Sequence, residues 1–86
     1  MNQEDSITVT IRSFISPDEP IAGFRPGESF TMNVPGGITL GGLTRRIYHK
    51  KFDQIGVMAV RGKLASEETM LLPGDSIDFY PLLEGG

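Results

Sequence analysis

The sequence contains no cysteine and no tryptophan, and histidine occurs once, at His49. Without cysteine there is no disulfide, thiolate nucleophile, iron–sulfur cluster or thiolate zinc site. With His49 alone, histidine metal clusters and nucleophile–base pairs are not expected either. Long apolar runs are missing, so nothing approaches the roughly 18 residues of a membrane span. Basic residues are in deficit, eight Lys and Arg against eleven Asp and Glu for a net charge of −3, which disfavours nucleic acid as a partner. The opening stretch MNQEDSITV is acidic and polar, unlike a secretory signal, so a cytoplasmic location is expected. Together these absences argue against an enzyme with its own active site.

What remains is a chain of 86 residues, enough for one domain over residues 1–86 whose core is small. Ile7, Val9 and Ile11 alternate with Thr8, Thr10 and Arg12, the period of two of a half-buried strand. The following SPDEPIAGFRPGE is too rich in proline and glycine for a regular element, and its Pro26-Gly27 suits the centre of a type II turn. Phe30, Met32 and Val34 then predict a second strand, antiparallel to the first across an unusually long connection. Thr39 is a candidate helix cap, with Leu40, Leu43 and Ile47 at helical spacing and Arg45, Arg46, His49, Lys50 and Lys51 in the later turns. A third strand is expected over residues 56–63 and a fourth over residues 76–82, with Ile77 and Phe79 inward against Asp78 and Tyr80. The order β-β-α-β-β predicts an α+β fold, one helix lying across a face of a mixed sheet.

Few residues offer chemistry. The cluster GGITLGG, residues 36–42, precedes and enters the helix, but it lacks the lysine and hydroxyl of a phosphate loop, and turn or close-approach glycines account for it better. His49 beside Lys50 and Lys51 reads as a solvated helix end, and Glu67 and Glu68 as a surface loop. No lysine or arginine follows Lys63, whereas Glu67, Glu68, Asp75, Asp78 and Glu84 accumulate. Such an acidic end serves solubility, or docking into a basic groove of a partner protein. The final FYPLLEGG ends on Gly85 and Gly86. Glycines pass through narrow channels where a Cβ clashes, and a terminal carboxylate becomes an acyl-adenylate when activated by ATP.

Three segments carry a resemblance to a known family: GGITLGGL, AVRGK and above all LLPGDSIDFYPLLEGG. The last is similar to the Leu-x-x-Gly-Asp-x-(Val/Ile)-x-(Phe/Ile)-x-Pro ending in Gly-Gly of the ubiquitin-like β-grasp sulfur carriers, the MoaD/ThiS family. It maps onto Leu71 or Leu72, Gly74, Asp75, Ile77, Phe79, Pro81, Gly85 and Gly86. The likeness extends over essentially the whole chain. Arg61 stands where that family often has Asn, and SPDEPIAGFRPGE replaces the helical stretch that relatives of the molybdopterin synthase small subunit usually carry there.

The resemblance implies a β-grasp domain with a flexible tail over residues 82–86. It implies adenylation of Gly86 by an E1-like enzyme using ATP, then a covalent C-terminal thiocarboxylate made from a sulfurtransferase or cysteine desulfurase. An acceptor, the molybdopterin synthase large subunit or a thiazole synthase, takes the sulfur. No stably bound cofactor, nucleic acid or membrane is expected. Gly85 threads the tail, while Leu82, Leu83 and Glu84 contact partners. Val57, Ala59 and Tyr80 are expected on an outward docking face of the sheet, and Pro81 is expected among the partner contacts. Two alternatives stay open: a ubiquitin-like modifier joined to lysines, and a β-grasp interaction module with an inert tail.

Overall fold

The structure, a computed structural model, describes residues 6–82. Strands β1 (Ser6–Ser13) and β2 (Ser29–Pro35) are antiparallel, with Val9 facing Met32. Helix α1 (Leu40–Ile47) follows, then a 3₁₀ turn (Phe52–Gln54), β3 (Ile55–Val60), β4 (Lys63–Leu64) and β5 (Ser76–Pro81). The sheet order is β2-β1-β5-β3-β4, with β5 parallel to β1 and antiparallel to β3. This is the expected α+β layout, a mixed sheet with one α-helix, compatible with a β-grasp.

The element order differs from β-β-α-β-β in one respect. The segment expected as a single strand over residues 56–63 breaks after Val60, and Lys63–Leu64 folds back as β4 on Ala59 and Val60. The cause is a tight turn at Arg61 and Gly62, whose φ angles of 55° and 80° place both in the left-handed region. The helix is also shorter than expected. Tyr48 closes it, donating its N–H to Thr44 O, so His49, Lys50 and Lys51 lie beyond its end. Between β1 and β2, Pro26-Gly27 forms the expected turn, with Gly27 at φ 79° and Glu28 N–H donating to Arg25 O.

The core forms where the inward stripe of α1 (Leu40, Leu43, Ile47) meets Val9, Ile11, Val34, Val60, Leu71, Ile77 and Phe79. Thr39 caps the helix, accepting from Gly42 N–H at 3.1 Å. At the other end, the buried Tyr48 ring packs edge-on against Phe79 and its hydroxyl donates to Ile15 O at 2.8 Å. This anchors the start of the long connection to the helix end. No helix among the described residues is long and apolar enough to cross a membrane.

Burial pushes the Tyr48 phenol up from its ordinary pKa; the Ser13 hydrogen bond opposes this and the Asp18 charge adds to it. A raised value means that the folded state favours the neutral phenol. Its stabilisation is complete below a pH of about 10 and is lost as pH rises through the folded value. Urea midpoints of the wild type should therefore fall above pH of about 10. Tyr48→Phe should cost about 1–2 kcal/mol at neutral pH and show a shallower alkaline fall.

Candidate docking face and tail root

The alternation along β1 and β5 turns Arg12, Asp78 and Tyr80 away from the helix. Strand register brings Arg12 beside Asp78, Asp78 beside Ala59, and Tyr80 beside Val57. Arg12 Nε donates to Asp78 Oδ1 at 3.1 Å, and Arg12 Nη2 to the Tyr80 hydroxyl at 3.4 Å. The Tyr80 hydroxyl and the Asp78 carboxylate hold the Arg12 guanidinium above its ordinary pKa. Phe14, one residue past β1, stacks on Tyr80 with ring centroids 5.4 Å apart and planes 17° apart. Arg12 lies 5.8 Å from the Phe14 ring centre. An ion pair this exposed is screened by solvent and contributes little stability. Its evident effect is to hold two aromatic rings in a fixed arrangement on the open side of the sheet.

Of the expected docking residues, Val57 and Tyr80 lie side by side across the strands on the outward face, whereas Pro81, though exposed, pairs with Ile55 in the strand phase of Ile77 and Phe79. Ala59 does not contribute as expected. It is only 8% exposed, flanked in register by Asp78 and Leu64, and presents almost no area to a partner. Phe14, 45% exposed, is the residue the sequence reading overlooked, although it continues the outward series Thr8, Thr10, Arg12. A large aromatic in the polar phase of a strand was the available signal.

Leu82 was expected to begin the free tail. Its side chain is exposed, but its N–H donates to Gln54 O at 2.8 Å, so the chain is still held there. Leu83, Glu84, Gly85 and Gly86, for which partner contact, threading and adenylation are expected, lie outside the described residues. Beside Leu82, the pairing of β3 with β5 shifts between Ile55 and Val57, leaving Gly56 in a bulge. A Cβ on Gly56 lies 2.8 Å from both Leu82 Cα and Pro81 O, far inside contact distance. Asp53, Gln54, Pro81 and Leu82 line an open cleft of about 440 Å³ at this corner.

The other candidate chemistry resolves into structure. At the start of α1, Leu40 N–H donates to Thr69 O at 2.7 Å and Gly41 N–H to Glu67 O at 2.9 Å, so the helix terminus is occupied by its own chain. That close approach needs glycine at Gly41, where a Cβ meets Glu67 Cβ at 2.9 Å. Glu67 is no free loop acid: it accepts from Arg45 Nη1 at 2.6 Å. His49 Nε2 sits 3.2 Å from Asp18 Oδ2, which also accepts the Lys50 N–H. Both contacts tie the long connection to the helix end. Among the described residues, no group of three His, Cys, Asp or Glu side chains is placed to hold a metal ion.

If the rings act as one unit, Phe14→Ala should destabilise the protein by about 1 kcal/mol through the lost stack. Leu64→Ala, at a side chain 79% exposed, should change the urea midpoint negligibly. Equal losses in the two variants would refute the coupling of Phe14 to Tyr80.

No family model matches the sequence, and no curated protein matches it. Among solved structures, the solution structure of the Haloferax volcanii HVO 2177 protein is similar. The match has a TM-score of 0.69 and 16% identity, covering 100% of this chain and 92% of that one. At that identity the likeness is one of fold, and it supports a small β-grasp-like α+β domain.

Proposed function

We propose that this protein is a sulfur carrier, a substrate of other enzymes and not itself a catalyst, acting in the cytoplasm. An E1-like adenylyltransferase docks on the face formed by Phe14, Tyr80 and Val57, and receives the C-terminal segment. The Gly86 carboxylate attacks the α-phosphate of ATP, pyrophosphate leaves, and an acyl-adenylate forms. The outer sulfur of a cysteine persulfide on a sulfurtransferase or cysteine desulfurase then displaces AMP to give an acyl disulfide. A thiol attacks the cysteine-side sulfur of that bond, leaving a disulfide on the donor and releasing the thiocarboxylate. The acceptor is a cofactor-forming enzyme such as the molybdopterin synthase large subunit or a thiazole synthase.

One observation supports this reading above the rest. The last strand runs through the middle of the sheet and reaches the rim beside the exposed Phe14–Tyr80 stack. From Leu82, the four residues to Gly86 span at most about 14 Å when extended. A partner seated on the face is therefore close enough to reach the terminal carboxylate. Gly85 and Gly86 present no side chain to a narrow nucleotide channel.

Incubation with the cognate activating enzyme, ATP and a sulfur donor should raise the intact mass by one oxygen-to-sulfur exchange. Deleting Gly86 should abolish the change without altering the urea midpoint. No mass change with an activating enzyme shown to be competent would remove the proposal. Isopeptide-linked Gly-Gly adducts on cellular lysines would assign the same activation chemistry to protein modification.

A further inference from the structure

The corner formed by Gln54, Gly56, Pro81 and Leu82 is a built feature that neither the core nor the docking face explains. Gly56 lies at the start of β3 in a bulge, and the last described residues cross directly over its Cα. The two atoms a side chain there would strike, Leu82 Cα and Pro81 O, are backbone, which cannot swing aside as a flexible side chain can. Gly56 is itself exposed, so core packing does not demand the absence of a Cβ. Gln54, at the end of the 3₁₀ turn, supplies its carbonyl to the Leu82 N–H at 2.8 Å. This hydrogen bond lies past the end of β5 and extends order by one residue along the chain.

We infer that Gly56, with the Gln54 carbonyl, is a tail-positioning element: it fixes the backbone of Pro81 and Leu82, the point from which residues 83–86 continue. The inference rests on the carrier function proposed above. Four residues reach at most about 14 Å, so where Leu82 is held bounds the positions open to the terminal carboxylate. Reactions between bound groups lose about 100-fold for misplacements near 1 Å. A short tail therefore needs a fixed origin. Gly56 and Gln54 act through Leu82 and touch no reacting atom, so they govern presentation of the tail and leave the docking face intact.

Adenylation is read by ATP–pyrophosphate exchange with the cognate activating enzyme, and the anchor by hydrogen exchange of the Leu82 amide. In the wild type, the Leu82 amide should be protected well beyond random-coil exchange. In Gly56→Ala that protection should fall, kcat should drop about tenfold to 100-fold, and KM for the carrier should stay within about twofold. Phe14→Ala should show the opposite split, a raised KM with kcat largely kept. Should Gly56→Ala fail to fold, a glycine inserted between Leu82 and Leu83 leaves every packed residue in place; it should also lower kcat. Random-coil exchange at Leu82 in the wild type overturns the anchor whatever the activity. So does unchanged kcat in Gly56→Ala, or in the insertion variant where that one must serve. A wild type that supports no exchange with a competent enzyme counts instead against the carrier function.

Discussion

The structure depends on the parallel pairing of β1 with β5. Ile11 lies beside Ile77 and Ser13 beside Phe79, and both strands are flanked on each side by other strands. Val9, Ile11, Ile77 and Phe79 have no exposed surface at all. A parallel pair cannot be closed by a hairpin and needs a crossover that returns the chain to the same edge. Here that crossover contains everything between residues 14 and 75, including α1. The middle of the sheet is complete only when the last strand is in place. The price of that arrangement is a domain whose central pairing joins sequence-distant segments, the kind of topology that folds slowly.

How β5 is launched follows from the same constraint. Gly74 N–H donates to Thr8 O and Thr10 N–H to Asp75 O, so the turn before β5 already grips β1. Asp75 is 5% exposed, and its carboxylate accepts from Arg61 Nη1 at 2.6 Å and from Leu72 N–H at 2.8 Å. Holding Arg61 in a left-handed conformation costs about 1–2 kcal/mol. The half-exposed Arg61 guanidinium gives the nearly buried Asp75 carboxylate a cation on its open side, which offsets part of that cost. The guanidinium satisfies the acid that starts the central strand.

The legible parts of the sequence were those with a local physical signature. The alternation of residues 7–11, the Thr39 cap, the Pro26-Gly27 turn and the inward pair Ile77 and Phe79 each follow from a few neighbouring residues. What escaped was decided by distant partners. The break after Val60 depends on an Arg61 conformation sustained by Asp75. Glu67 reads as solvated until Gly41 and Arg45 are folded against it. Gly56 looks like any strand-edge glycine until Pro81 and Leu82 pass across it. Phe14 was within reach, because the outward phase of β1 leads to it, but its stack on Tyr80 pairs residues from opposite ends of the chain.

The aromatic face and the anchor at Leu82 are not separate features, because the chain of β5 leads from one to the other. Its alternation commits Ile77 and Phe79 to the core, and thereby turns Asp78 and Tyr80 outward. Tyr80 is fixed laterally by Phe14 and Arg12, and lies two residues before Leu82. At about 3.3 Å per residue, the aromatic stack and the last anchored amide are separated along the strand by about 7 Å. The Phe14–Tyr80 pair and Leu82 are therefore held at a fixed separation, since a core strand is rigid over that distance. At Leu82 the backbone is held by the carbonyl of Gln54 and passes over the bare Cα of Gly56. Packing energy sets the course of β5 through the sheet, and the absence of one methyl group at Gly56 lets Pro81 and Leu82 pass across the start of β3.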